Sequence, residues 1–164
     1  MRVIERADLR NLATSIVRGI DFHADYAVET DVGEFAASLN GTYLTDNLFQ
    51  ATPAGDALNR LNLVYRPVDL NLRGALSWRR NGFTIFGAVN HTASYTDDIN
   101  NPERDLDGNV VPLPVGAWTT VDMTVSYDSS VAENSPLPRD MQLSLSVTNL
   151  FDRDPPFVTS ANGS

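Results

Sequence analysis

The sequence predicts an all-β fold, an antiparallel up-and-down meander of about six long strands. Apolar and polar residues alternate with a period of two, which is the period of side chains in an extended chain. The alternating segments run to about ten residues or more, whereas strands of soluble proteins average about 5–6. Short and long connections alternate, as in membrane barrels. Strand length and the alternation of connections favour strands of a membrane β-barrel, while the two-residue period fits a soluble all-β sheet equally well.

The first two predicted strands, near 16–28 and 34–45, are joined by a short turn at 29–33. Each places apolar residues on one face and polar residues on the other, and only Arg18 interrupts the apolar face. The apolar faces comprise Ile16, Ile20, Phe22, Ala24, Tyr26 and Val28 in the first strand and Phe35, Ala37, Leu39, Gly41 and Tyr43 in the second.

The third and fourth strands, near 70–79 and 83–95, flank Asn81-Gly82. Both of these residues tolerate the positive φ of a type I′ turn, so the dipeptide is a strong hairpin signal. A two-residue loop sets the register independently of the hydrophobic pattern, and the two agree. The predicted pairs are Arg80 with Phe83, Trp78 with Ile85, Leu76 with Gly87 and Gly74 with Val89.

The fifth and sixth strands lie near 117–128 and 141–151, and the long connections at 48–69 and 99–116. The link at 129–138 departs from the alternation, since it is long on the predicted short side. The sequence contains no amphipathic helix long enough to cover a sheet face, which argues against an α+β domain.

Composition excludes several classes of function. The chain has no cysteine, so disulfides, thiolate nucleophiles and cysteine-ligated metals are excluded. Its net charge of −9 argues against a nucleic-acid partner, and all of its positive side chains are arginine. No apolar run approaches the roughly 18 residues of a transmembrane helix, although that test does not detect barrel strands.

Alternation alone leaves a second reading open, a soluble all-β binding module, for example for saccharides. Aromatic residues near the ends of the apolar bands favour the membrane, because barrels carry aromatic girdles at both interfaces. These residues are Tyr26, Tyr43, Trp78, Phe83, Tyr95, Trp118, Tyr127 and Phe151.

Three motifs carry a resemblance to a known family. Asn149-Leu150-Phe151-Asp152 resembles the "NLFD" signature near the C-terminus of TonB-dependent outer-membrane receptors. Arg18-Gly19-Ile20-Asp21 resembles their "RGxD" strand start, and the hairpin around Asn81-Gly82 resembles their late-barrel hairpin. The resemblance extends from about residue 16 to residue 158.

This resemblance implies a plugged barrel of about 22 strands in the bacterial outer membrane. Residues 1–164 would then form a single partial barrel region, a curved, open segment of this transmembrane β-barrel. Such receptors import siderophores, cobalamin, saccharides or other scarce nutrients with energy transmitted by TonB. The implied partners are outer-membrane lipid and lipopolysaccharide, the TonB system acting through an N-terminal region not included here, and a small-molecule nutrient. We expect the chain to be a C-terminal barrel fragment, without plug or last strand, that does not transport in isolation. No cofactor and no nucleic acid are expected.

Six residues are candidates for the lumen face, where they would contact a plug or a solute; otherwise they are simply solvated polar positions. They are Asp21, His23, Asp25, Arg73, Arg79 and Asp122. The motif residues Asn149, Leu150, Phe151 and Asp152 are expected to be structural and to terminate the strand. Phe151 would extend the apolar face, and Asp152 would accept backbone hydrogen bonds.

Catalytic and metal sites are not predicted. The oxygen-rich loop at 96–109 resembles a calcium loop, but the position of the closing Glu is Pro114. His23 and His91 fall on opposite faces and do not form a metal pair. The sequence has no Gly-x-Ser-x-Gly elbow and no Gly-rich phosphate loop, so we do not expect an enzyme.

Overall fold

The computed structural model describes residues 13–158, and in this range the regular structure is entirely β. The strands are β1 (Thr14–Thr30), β2 (Gly33–Gln50), β3 (Leu58–Asn59), β4 (Leu70–Arg80), β5 (Phe83–Thr92), β6 (Tyr95–Asp97), β7 (Leu113–Val115), β8 (Trp118–Asp128) and β9 (Gln142–Val147). Six of them form the main antiparallel sheet in the order β1-β2-β4-β5-β8-β9, with the short β3 added beside β2, and the sheet is open at both edges. The prediction of an all-β antiparallel meander is therefore confirmed. Within the described range there is no helix long and apolar enough to span a membrane.

The strands differ greatly in length. β1 and β2 have 17 and 18 residues, so they extend well beyond the predicted segments. β9 has 6 residues and pairs only with the second half of β8, from Met123 to Asp128. The motif Asn149–Asp152 therefore follows the last strand instead of forming its end.

The Asn81-Gly82 turn has the predicted geometry, with φ of 45° and 83°. β4 and β5 pair in the predicted register, including Arg80 with Phe83 and Trp78 with Ile85. The turn is also tied to the link that follows β8, because Asn81 Oδ1 accepts a hydrogen bond from the backbone N–H of Glu133 at 2.8 Å.

A register irregularity between Arg18 and Gly19 interrupts the pairing of β1 with β2. Arg18 is opposite Asp46 and Gly19 is opposite Leu44, so Thr45 is an extra residue in β2. Arg18 and Asp46 form an ion pair at 3.5 Å. The arginine that interrupts the apolar pattern is thus partnered by a carboxylate from the neighbouring strand.

The sheet has one apolar and one polar face, and the apolar face is exposed. Tyr26, Leu76 and Leu145 are 69%, 68% and 69% exposed, although they lie well inside their strands. Among the described residues the buried apolar side chains are only Val64, Val68, Ala88 and Val115. Nothing in the described range covers the apolar face.

The two long connections fold against each other beyond one end of the sheet. The first connection contributes β3, which pairs with β2, and the second contains the β6–β7 hairpin. Val64 N donates to Thr96 O at 2.9 Å, and Thr96 N donates to Asn62 O at 2.8 Å. Val64, Val68 and Val115 are buried in this region. The long connections therefore form one hydrogen-bonded unit.

Candidate functional site

The register places all six predicted polar residues on one face of the sheet. Opposed residues share a face, and the pairs that define it run across the strands. These pairs are Asp21 with Thr42, His23 with Asn40, Asp25 with Ser38, Asn40 with Arg73, Arg73 with Asn90, Arg79 with Thr84 and Ala88 with Asp122. His91 lies on the opposite face and is bonded to Thr119 at 2.7 Å, so it is separated from His23.

The β1 side of the polar face is hydrogen-bonded to β2. Thr42 Oγ1 donates to Asp21 Oδ1 at 2.6 Å. The ring of His23 contacts Asn40 Oδ1 through Nδ1 and the carboxylate of Asp25 through Nε2. Three predicted residues of β1 are therefore joined to each other or to the adjacent strand.

Arg73, Asn90 and Asp122 form a second network across β4, β5 and β8. Arg73 Nη1 donates to Asn90 Oδ1, and Asn90 Nδ2 donates to Asp122 Oδ2 at 2.8 Å. Arg73 also lies 3.9 Å from Asp122 Oδ2. Asn90 thus joins two predicted residues of opposite charge, but the sequence analysis did not select it. The Asn81-Gly82 register placed Asn90 opposite Arg73, and this signal was sufficient to find it.

Arg79 lies on the same face near the other end of β4. It forms an ion pair with Glu34 at 2.9 Å, and both side chains are substantially exposed. Exposed pairs of this kind contribute about 0–1 kcal/mol to stability. The pair fixes the position of the guanidinium more than it stabilises the sheet.

The motif Asn149–Asp152 forms a turn in which Asn149, not Asp152, makes the side-chain contacts. Asn149 has a φ of 52°, and its backbone oxygen accepts from Asp152 N at 2.8 Å. Its side chain accepts from Arg153 N at 3.0 Å and donates to Arg153 O at 3.1 Å. We expected Asp152 to accept backbone hydrogen bonds here, but in residues 13–158 the side chain of Asn149 makes these contacts and the carboxylate of Asp152 makes none. Phe151 lies in the turn beyond β9 and is 73% exposed, so it does not continue the strand.

The turn is held to β8 from the polar face. Asp122 Oδ1 accepts from Asn149 N at 3.0 Å, and Leu150 N donates to Val121 O at 2.7 Å. Since Met123 is opposite Val147, regular pairing would put Asn149 opposite Val121. The pairing is thus shifted by one residue at Asn149, as in a β-bulge. Trp118, predicted at the end of an apolar band, lies on the polar face and donates to Arg153 O at 3.3 Å.

The loop connections contain a buried carboxylate outside the six-stranded sheet. Asp97 is fully buried, and it accepts from Ile99 N at 3.1 Å and from Asn100 N at 2.8 Å. Burial acts to raise the pKa of Asp97, but the hydrogen bonds from Asn100 and Ile99 outweigh it and hold the pKa below its ordinary value. Asp105 is exposed, and the backbone and side-chain hydrogen bonds from Asn109 likewise lower its pKa.

These acidic residues organise turns within the hairpin. Asp105 accepts from Asp107 N and Asn109 N, which is an Asx-type arrangement. In residues 13–158 no group of three or more His, Cys, Asp or Glu side chains is arranged to hold a metal ion.

The open antiparallel sheet, with one exposed apolar face and one hydrogen-bonded polar face, agrees with the comparison with known families. A family model described as "TonB dependent receptor-like, beta-barrel" matches residues 5–150. The chain belongs to the TonB-dependent receptor β-barrel family. Comparison with curated proteins and with solved structures gave no match.

Membership of the TonB-dependent receptor family establishes the general function. Its barrels are receptors and transporters of the bacterial outer membrane, and the family is not one of enzymes. TonB and a nutrient are the partners of such receptors in general. The matched range includes all six strands of the main sheet, so both faces described above belong to a receptor barrel wall.

Proposed function

We propose that this chain forms part of the barrel wall of a receptor that takes up a scarce small-molecule nutrient with energy from TonB. The nutrient would be a siderophore, cobalamin, a saccharide or a similar compound. In this proposal the apolar face contacts outer-membrane lipid and lipopolysaccharide, and the polar face lines the lumen. Transport requires the complete receptor, and no nucleic acid takes part.

The observation that supports this orientation is the exposure of the apolar face over the full width of the sheet. Ile20 and Tyr26 in β1, Leu76 in β4 and Leu145 in β9 are 62%, 69%, 68% and 69% exposed. Lipid would cover such a face without a second protein layer. A soluble sandwich would need another sheet there, and residues 13–158 supply none.

The polar face has the groups that a lumen needs to contact a plug or a polar solute. Asp21, His23 and Asp25 lie on the edge strand β1, Arg73 lies on the central strand β4, and Asp122 lies on β8 next to the other edge strand. Arg73 is exposed although it is hydrogen-bonded to Asn90, so its remaining donors are accessible. Together with Arg79, these are the residues proposed to face the lumen.

The two tryptophans test the orientation because the register puts Trp78 and Trp118 on opposite faces. The variant Trp118→Phe keeps only Trp78 as a fluorescence reporter, and the variant Trp78→Phe keeps only Trp118. Both would be refolded into vesicles that contain lipids brominated on the acyl chains, with β content checked by circular dichroism. We expect strong quenching of Trp78 emission and weak quenching of Trp118 emission.

Equal quenching of both tryptophans would contradict the assignment of the faces. A cooperative melt of the chain in plain buffer, with no quenching by lipid, would support the soluble module instead. Saturable glycan binding in the same buffer would identify that module as a saccharide-binding protein.

A further inference from the structure

The six long strands contain four arginines, and three of them have a carboxylate partner. Arg18 lies 3.5 Å from Asp46, Arg73 lies 3.9 Å from Asp122, and Arg79 lies 2.9 Å from Glu34. Arg80 is exposed, and none of the carboxylates in residues 13–158 is within 4.0 Å of it. Among the described residues it is therefore the strand arginine without a carboxylate partner.

Arg80 lies at the end of the apolar face, next to the tight turn. It is opposite Phe83, and Phe83 is opposite Tyr127, so these three residues form the last row of that face. The rings of Phe83 and Tyr127 are 4.6 Å apart between centroids, with an interplanar angle of 51°. The preceding residue, Arg79, is on the polar face with its partner Glu34. The guanidinium of Arg80 and that of Arg79, which is paired with Glu34, thus lie on opposite faces of the sheet.

Gly33 makes room for the side chains beside this row. A Cβ at Gly33 would lie 2.8 Å from Trp78 Nε1 and 3.1 Å from Arg80 Cβ. The indole N–H of Trp78 donates to Val32 O at 2.9 Å, which fixes the ring next to the β1–β2 turn. Trp78, Arg80 and the Phe83–Tyr127 pair therefore surround one end of the apolar face.

We propose that Arg80 binds the phosphate of a phospholipid head group, with Trp78, Phe83 and Tyr127 at the border between head groups and acyl chains. The inference rests on the proposed function, in which the apolar face lies in lipid. A guanidinium forms forked hydrogen bonds with phosphate, and an arginine stem extends along apolar surface while its charge reaches the interface. Tryptophan and tyrosine are enriched at that level of the bilayer.

Acidic residues lie at the same end, including Asp31 in the β1–β2 turn and Glu133 beside Asn81, but none of those described is within 4.0 Å of Arg80. Glu34 is paired with Arg79, and Asp128 accepts from Ser130 N and Ser130 Oγ at 2.8 and 2.6 Å. Arg80 therefore offers, at the end of the apolar face, a guanidinium without a carboxylate partner among residues 13–158, and an anionic head group is complementary to this single group.

The test uses Trp78 as a local reporter in the full chain with Trp118→Phe. Vesicles of unbrominated digalactosyl diacylglycerol, which has no phosphate, receive a small, equal fraction of either acyl-brominated phosphatidylglycerol or acyl-brominated digalactosyl diacylglycerol. We expect greater quenching by the phosphatidylglycerol. In Arg80→Gln, quenching of Trp78 by the phosphatidylglycerol should fall to the level given by the galactolipid. In the matched control Arg79→Gln, quenching by the phosphatidylglycerol should stay greater than quenching by the galactolipid. Arg80→Lys, which keeps the charge without the fork, should give an intermediate value.

Equal quenching by the two lipids in the starting chain would overturn the head-group site while leaving the membrane orientation intact. The head-group site would also be overturned if Trp78 in Arg80→Gln were still quenched more by the phosphatidylglycerol than by the galactolipid. Absence of quenching by either lipid, even as the bulk component, would contradict the proposed function itself. Insertion of each variant is checked by quenching in fully brominated phosphatidylcholine, so a folding failure is separated from a loss of lipid preference.

Discussion

The carboxylate of Asp122 accepts a hydrogen bond from the backbone N–H of Asn149, with an N···O distance of 3.0 Å. A side chain on the polar face of β8 thus satisfies a backbone donor that the shifted pairing at Asn149 leaves outside the ladder. The same carboxylate accepts from Asn90, so the polar network and the motif turn share one acceptor group. This contact connects the proposed lumen face to the family motif.

Replacement of Asp122 by Ala should loosen the motif turn. The Asn149 N–H would lose its acceptor, and we expect amide exchange of Asn149 and Leu150 to increase by roughly threefold to tenfold. Hydrogen exchange of the chain in detergent micelles, resolved by NMR, measures this. Asp21→Ala is the matched control, because it removes the same charge from the same face near the opposite edge. An equal increase in the two variants would rule out a local role for Asp122.

Substitutions of Asn149 should separate its backbone role from its side-chain role. Gly keeps the φ of 52° at no steric cost but loses both hydrogen bonds to Arg153, whereas Ala also adds strain of about 1–2 kcal/mol. We therefore expect stability of the turn to fall in the order Asn149, Asn149→Gly, Asn149→Ala. Rates of limited proteolysis after Arg153 report the order. If the Gly and Ala variants were cleaved at the same rate, backbone conformation would not contribute.

Gly33→Ala should destabilise the β1–β2 turn by about 1–3 kcal/mol. Gly33 has a φ of 124°, and an added Cβ would lie 2.5 Å from the backbone oxygen of Arg79. Gly74→Ala is the control, because the nearest atom to its Cβ, Leu39 Cδ1, is 3.8 Å away. Thermal unfolding in detergent, followed by circular dichroism, should show a lower midpoint for Gly33→Ala only. A midpoint equal to that of the unchanged chain would contradict the steric argument.

The loop unit should open in acid because of Asp97. The pKa of Asp97 is lowered in the folded chain, so its contribution is present in full above the unfolded pKa of about 3.9 and is lost as the pH falls through the lower folded value. We expect the amide signals of Ile99 and Asn100 to shift in NMR spectra recorded below about pH 4. Asp97→Asn should abolish the titration of these two amides, and Asp105→Asn should preserve it. Persistence of the titration in Asp97→Asn would assign it to another group.

Much of the sheet could be predicted from local pattern. Asn81-Gly82 set the β4–β5 register by turn chemistry alone, and the alternation of apolar residues extended the same faces to the other strands. This is also why the six candidate residues lie together on the polar face. Short-range rules were sufficient wherever the strands run without interruption.

Two features depended on contacts that no local pattern specifies. The irregularity beside Arg18 results from an extra residue at Thr45 in β2, where neither Gly nor Pro marks it. The motif turn depends on Asp122, which is 27 residues distant in sequence from Asn149. Asn90 is different, because the hairpin register already placed it opposite Arg73.

The reciprocal hydrogen bonds of Thr96 with Asn62 and Val64 have a mechanical consequence for the end of the sheet where the long connections lie. A displacement of either connection carries the other with it, so the two cannot open separately without breaking these bonds. The first connection is in turn tied to the sheet, because β3 pairs with Leu48 and Phe49 of β2 and Leu44 N donates to Asp69 O at 2.7 Å. A solute that pushed on the hairpin would therefore load both connections and, through β3, the end of β2.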